Sequence, residues 1–318
     1  MEIAKRQRRL EQALKFVFGH RSHSMLSGRP MSFVDHIARC NNARLDEFEP
    51  WWIAGAQAGL VHREFAPELA ARPDLFDRVD GGWRLAGRLA TPSQRSEAVR
   101  AWQQEMRPRG FFAAWRDEDY PLTPALHLAP MMQMERAAVP SFGVRAFGVH
   151  LTGYVRRRDG LHVWVPRRSR SKPTYPGQLD NTVAGGQPVG IGLHDNVVKE
   201  CGEEAGIPPE IARRAIAVGV IAYRHQSGAT LKPDIMNCFD LELPDGFELR
   251  PADGEAESFE LWPVQRVYET VRDTAEFKYN CNLALIDFFV RHGLIDADHP
   301  DYVAIATGLH AGLFPSAR

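Results

Sequence analysis

The sequence predicts an α/β fold: a layered sandwich with a mixed sheet, preceded by a smaller α+β domain. Three observations carry this. The chain has 318 residues, enough for two domains and a sizeable core. Its character changes after Pro140, from mixed helix and strand to a series of strand-like runs. Within that series a helical segment is interleaved among the strands, the pattern of a layered α/β domain. The expected division is an accessory domain over 1–140 and the main domain over 141–318.

The elements follow in order. Leu10, Leu14 and Val17 share one face of an expected amphipathic N-terminal helix. "RVDGGWRL" reads as a small hairpin turning at Asp80-Gly81. Thr91-Pro92-Ser93-Gln94 starts a helix that runs to Met106: Thr91 caps, Pro92 takes the first position and Gln94 completes a capping box. "FGVRAFGVHLTGYVRR" is a long strand, turned at Asp159-Gly160 into the alternating "LHVWVPRR". "TVAGG" is a short strand, and His194 to Ala205 a helix. "AVGVIAYRH", "DIMNCFDLELP" and "ESFELWPV" are further strands. "NLALIDFFVRHGLI" and "PDYVAIATGLHAGL" are late helices.

Composition narrows the function classes. The formal net charge is −1, which points to neither nucleic acid nor a membrane surface. No apolar run approaches the roughly 20 residues of a bilayer span, and the basic N-terminus lacks the apolar core of a signal peptide. Cys40, Cys201, Cys238 and Cys281 form no C-x-x-C pair, and read as buried free thiols in a reducing cytoplasm.

"KECGEEAGI", residues 199–207, concentrates the chemistry. On a helix, Glu200, Glu203 and Glu204 stand at i, i+3 and i+4 on one face, with Val198, Cys201 and Ala205 on a face that can be buried. Their mutual repulsion costs a few tenths of a kcal/mol per exposed pair, roughly, so a solvated acidic face remains open. The alternative is a site for a hard divalent cation. Such ions take oxygen ligands, few protein carboxylates and substrate phosphates, and glycines lie close by at Gly185, Gly186 and Gly206.

Residues 185–207, "GGQPVGIGLHDNVVKECGEEAGI", resemble a Nudix box, G-x5-E-x7-R-E-U-x-E-E-x-G-U with U aliphatic. Lys199 stands for the arginine, followed by Glu200, Cys201, Glu203, Glu204, Gly206 and Ile207. Counted from Gly186 the first half is one residue short, and it lacks the early glutamate; Asp195 is the nearest carboxylate. "GVHLTGYV", "YPGQLDNTVAGGQPVGI", "DGEAESFELWPV", "FKYNCNLALIDFFVRHG" and "WRDEDYPL" narrow the resemblance to the thiamin-pyrophosphokinase-associated Nudix branch. That branch includes yeast fusion proteins and plant Nudix hydrolases, and carries an extra N-terminal domain.

The resemblance implies a Nudix pyrophosphohydrolase that cleaves a small-molecule diphosphate with Mg²⁺, or Mn²⁺ in its place. Glu203 and Glu204 are the implied metal ligands, with Glu200 as a ligand or water-orienting base, the Gly185 carbonyl completing the site and Glu255 (Glu257 behind it) adding a carboxylate from outside the box. Lys199 would brace the glutamates without the bidentate fork of arginine. Lys172 and Arg168, from a basic run that could equally be solvated, are candidate phosphate binders. Tyr175 and Trp164 could stack on a heterocycle or pack in a core; His150, His194 and His225 read as structural. The branch points to thiamin diphosphate or its oxidised analogues, cleaved to the monophosphate, in the cytoplasm. A homodimer is one assembly open to it, and neither nucleic acid nor membrane is expected as a partner. The alternatives are a hydrolase of nucleoside-diphosphate-linked substrates, an isopentenyl diphosphate isomerase, for which no cysteine lies between Cys40 and Cys201, and a non-catalytic binding module.

Overall fold

The computed structural model describes residues 31–112, 115–172 and 174–313. The expected helix around Leu10, Leu14 and Val17 lies outside them. In chain order the helices are α1 (Phe33–Cys40), α2 (Ala66–Ala70), α3 (Pro92–Met106), α4 (Leu193–Ala205), α5 (Pro209–Ala212), α6 (Val264–Asp273), α7 (Cys281–Arg291) and α8 (Tyr302–Gly308). The strands are β1 (Phe48–Ile53), β2 (Ala56–His62), β3 (Phe76–Val79), β4 (Gly82–Leu85), β5 (Asp119–Leu122), β6 (Met132–Glu135), β7 (Phe147–Arg157), β8 (Gly160–Arg168), β9 (Val183–Gly186), β10 (Ile216–Ala222), β11 (His225–Ser227), β12 (Thr230–Lys232), β13 (Ile235–Glu242) and β14 (Ala256–Pro263). They fall into two compact units, both discontinuous in sequence: 42–146 with 224–234, and, among the described residues, 31–41 with 147–223 and 235–313.

In the first unit, β1 to β4 form a sheet in the order β2-β1-β4-β3, beside the antiparallel pair β5-β6. The Thr91 hydroxyl accepts from the Gln94 amide and the Gln94 side chain reaches back, so the capping box starts α3 where the sequence places it. Phe142 is the hub of an aromatic core, with ring centroids 4.8 Å from Trp51 and 5.6 Å from Phe65. Drawing Phe142 inward brings its backbone against β2. A Cβ on Gly59 would stand 2.3 Å from the Phe142 carbonyl oxygen. Backbone cannot step aside as a side chain can, so Gly59→Ala is expected to destabilise this unit by about 2 kcal/mol, read as a lower urea midpoint at unchanged slope.

In the second unit a mixed sheet runs β10-β13-β7-β8-β14, with β9 pairing β7; β13 and β7 are parallel. Alternation along the strands feeds two cores. Tyr154, Val163, Val165, Met236 and Cys238 face a helical layer that includes α1, α6, α7 and α8. Val149, Leu151, Val155, Trp164, Phe239 and Leu241 face the opposite side, where α4 packs through Val197, Cys201 and Ala205. The unit is thus the expected α/β/α sandwich with a mixed sheet. Details of the expectation change: the long strand expected from Phe142 begins at Phe147. Val197, not Val198, takes the central buried place on α4; Val198 is half-buried. Val264, expected to end a strand, opens α6, whose residues 265–273 carried no prediction. Among the described residues no helix is long and apolar enough to cross a membrane.

Candidate active site

The three glutamates of α4 leave the helix in different environments. Glu204 turns inward: its carboxylate accepts from the Ala184 N–H of β9 at 3.0 Å. Burial pushes its carboxyl well above the usual carboxylate range, and the negative charges of Glu200, Asp180 and Glu255 push it further against that one hydrogen bond. Glu200 is 13% exposed and lies over β9. A Cβ at Gly185 would stand 2.3 Å from the Glu200 carboxyl carbon, so only glycine leaves the seat that Glu200 occupies. Glu203 points outward and is 53% exposed. Lys199 lies between the two, its Nζ 3.2 Å from Glu200 and 2.6 Å from Glu203. Partial burial works against its charge, but the two carboxylates outweigh it and raise its pKa.

This geometry clarifies the box. Counted from Gly185 rather than Gly186, the interval to Lys199 is 199 − 185 = 14 residues, which is the full length of the pattern. The position of the early glutamate is then Ile191.

Glu204 lines an open cleft with Arg168, Asp180, Asn181, Glu255 and Phe259. Strand β8 ends at Arg168, β14 begins at Ala256 and the two pair Ala256 with Arg168, which brings Glu255 to the cleft. Glu255 receives Lys172 Nζ at 2.5 Å. Arg168 donates to Asp180 Oδ2 at 2.5 Å and to the carbonyls of Thr174 and Tyr175, each at 3.1 Å. It therefore fastens the 174–177 loop as well as facing the cleft. Tyr175 holds φ at +52° with its ring 5.5 Å from that of Tyr279. Glu257 accepts from the Arg170 N–H at 2.9 Å.

The remaining candidates have structural surroundings. Trp164 is buried in the core beneath α4. His150 is buried and bonds Asn181 Oδ1 at 2.8 Å. Asp195 stands in the first turn of α4, where the helix dipole favours it. His194 lies against the ring of Phe239, and His225 belongs to the first unit, in β11.

Sequence reasoning missed Asp180 and Lys278. Asp180 is buried yet charged: desolvation opposes its charge, but Lys278 and Arg168 outweigh it and hold its carboxyl at about 2. It also accepts from Cys281 Sγ at 2.6 Å and from the Asn181 N–H at 2.9 Å. The preceding basic run was a signal that a carboxylate partner should be sought nearby.

The donor set suits a hard divalent cation. It is all oxygen, and the like charges of Glu200, Asp180 and Glu255 crowd the Glu204 carboxyl. Among the described residues no three acidic, His or Cys side chains converge in ligating geometry. Glu203 is turned to Lys199, and Glu255 to Lys172.

Comparison with known proteins places the chain. Residues 32–146 match the description "Domain of unknown function (DUF4743)". Nudix hydrolase 20, chloroplastic, of Arabidopsis thaliana is 42% identical over 282 residues, covering 85% of this chain and 75% of that protein. Nudix hydrolase 24, chloroplastic, of the same plant is 39% identical over 284 residues, covering 88% and 78%. Among solved structures, the NUDIX domain of Shewanella oneidensis NrtR complexed with ADP ribose aligns with 48% of this chain and 91% of its own, at 12% identity and a TM-score of 0.38. A box with Glu200, Glu203 and Glu204, together with relatives of this identity over most of both lengths, makes the chain a member of the Nudix hydrolase family, a pyrophosphohydrolase acting on phosphoanhydride bonds.

Proposed function

We propose that the protein hydrolyses a small-molecule diphosphate to the monophosphate with the help of Mg²⁺, and that thiamin diphosphate or its oxidised analogues are its substrates. The observation that supports this most is the Glu204 carboxyl, drawn into one cleft with Glu255 and Arg168. Glu204, Glu200, Glu203 and Glu255 would hold the ion. When bound, it would neutralise the diphosphate and lower the pKa of a water molecule. Glu200, seated over Gly185, is the group to orient that water and take its proton. Lys199 holds Glu200 and Glu203 in place through its ammonium. Arg168 and Lys172 supply positive charge for the phosphates, and the exposed ring of Tyr175 is a surface for the organic part. The thiamin assignment rests on the branch resemblance alone. Four buried free thiols agree with a reducing cytoplasm, although the two plant relatives carry the word chloroplastic in their names.

The test is phosphate release from a panel of thiamin diphosphate, its oxidised analogues and nucleoside diphosphate conjugates, with Mg²⁺ and with chelator. Release from the thiamin compounds that chelator abolishes is the expected result. Turnover of the nucleoside conjugates alone would reject the thiamin assignment. Silence across the panel would favour a binding module.

A further inference from the structure

Lys278 is a half-buried cation for which the site described so far gives no direct role towards a ligand. Its side chain is only 19% exposed, and its nearest charge partner is Asp180 Oδ2 at 3.8 Å, beyond hydrogen-bond range. Among the described residues, its ammonium makes no hydrogen bond. The hydrogen bonds of Asp180 do not involve it: that carboxylate receives Arg168 at 2.5 Å on one oxygen and Cys281 and the Asn181 N–H on the other. No protein group among the described residues satisfies the donors of this half-buried ammonium, so they are open to an anionic ligand. Two cations, Arg168 and Lys278, thus share one buried carboxylate, leaving a net charge of +1. Arg168 and Asp180 both line the cleft that holds Glu204 and Glu255. Lys278 keeps its charge: burial opposes it, but the attraction of Asp180 raises its pKa.

We propose that Lys278, together with Arg168, forms a phosphate-binding subsite that takes the terminal phosphate of a small-molecule diphosphate. The proposal rests on the hydrolase reading above and gives that diphosphate an orientation. Its terminal phosphate sits at the Arg168–Lys278 side, and its bridging oxygen lies towards the carboxylates. The ammonium gains the charge-assisted hydrogen bonds it lacks, and the cluster of two cations and one anion becomes neutral or negative only when ligand is present.

The experiment is calorimetric titration of the full chain with inorganic pyrophosphate, with and without Mg²⁺, for the wild type, Lys278→Met and Lys278→Arg. Lys278→Met is expected to weaken pyrophosphate binding about tenfold or more, and Lys278→Arg to recover most of it. On a diphosphate that the wild type turns over, KM should rise by a similar factor while kcat changes little. If Lys278→Met does not fold, Lys278→Gln carries the same comparison. Equal pyrophosphate affinity in a folded Lys278→Met or Lys278→Gln protein overturns the proposal, and so does a wild type that binds no pyrophosphate. Binding requires no turnover, so the subsite can stand when the panel of substrates fails, and can fall when the panel succeeds.

Discussion

Replacing Gly185 by alanine is expected to lower kcat/KM for the diphosphate about a hundredfold while leaving the fold intact. The new methyl would stand 2.3 Å from the Glu200 carboxyl carbon and 2.6 Å from Cγ and Oε1. No real Cβ tolerates such distances, so one partner must move. Strand β9 is held by β7 along its length, and Gly185 pairs with Val149. The Glu200 side chain is the softer partner, because its Cγ and carboxyl can swing aside by rotation about side-chain bonds. It would leave its seat for solvent, at a stability cost of about 1 kcal/mol or less. Displacement by 1 Å or more of a group that positions the attacking water is worth roughly a factor of a hundred. Kinetics and Mg²⁺ titration should report the loss, and a thermal melt its absence from stability. Glu200→Gln introduced into the Gly185→Ala background should add little, since both changes remove one interaction. Wild-type turnover in Gly185→Ala would remove Glu200 from the mechanism.

The parts of this arrangement that sequence could reveal are those encoded locally. The capping box at Thr91 and Gln94 is complete within four residues. The alternation in β7 and β8 is a period of two over a single hairpin, and the Glu200–Glu203–Glu204 spacing lies within five residues. What could not be read is set by distant pairings. Gly185 is required by Glu200, across a strand-to-helix connection, and the requirement appears only when the side chain is placed. Asp180 and Lys278 are separated by about a hundred residues, and a single lysine in "FKYNCNL" carries no local sign of a buried partner. α6 escaped notice because Val267 and Val271, its two buried residues, sit among charged neighbours in a short segment whose inward face is set by the layer it covers. Three glutamates that share a helical face in projection also differ in fate. Glu204 meets β9, Glu200 lies over it and Glu203 meets water. The sheet beneath the helix decides this rather than the spacing.

Between pH 6.5 and about 4 the second unit is expected to lose several kcal/mol of stability because of two buried histidines. His36 is buried, its Nε2 2.7 Å from the Val271 carbonyl oxygen. Desolvation first, then the charge of Arg39, lowers its pKa from 6.5 to about 4 against the pull of that hydrogen bond. His150 is likewise lowered to about 4, by burial and then by the charge of Lys278. In both cases the unfolded chain takes up its proton near 6.5 while the folded chain resists until about 4. Within that window the unfolded state binds more protons, so stability falls as pH falls. Each residue contributes about 3 kcal/mol at full effect, a large share of the ~5–15 kcal/mol that holds a domain. Urea midpoints measured from pH 7 to 4 should fall steeply, and His36→Gln or His150→Gln should each remove about half of the slope. Asp180 acts in a separate window. Its carboxyl sits at about 2 in the folded state, so its contribution is present above the ordinary carboxylate range and is lost only as pH falls from about 4 towards 2. A midpoint that stays level between pH 6.5 and 4.5 would mean that the histidines are protonated in the folded protein. Lys278 then links the two arguments. Removing its charge should raise the folded pKa of His150, so in Lys278→Met the His150 part of the loss should still begin near pH 6.5, end at a higher pH and be smaller.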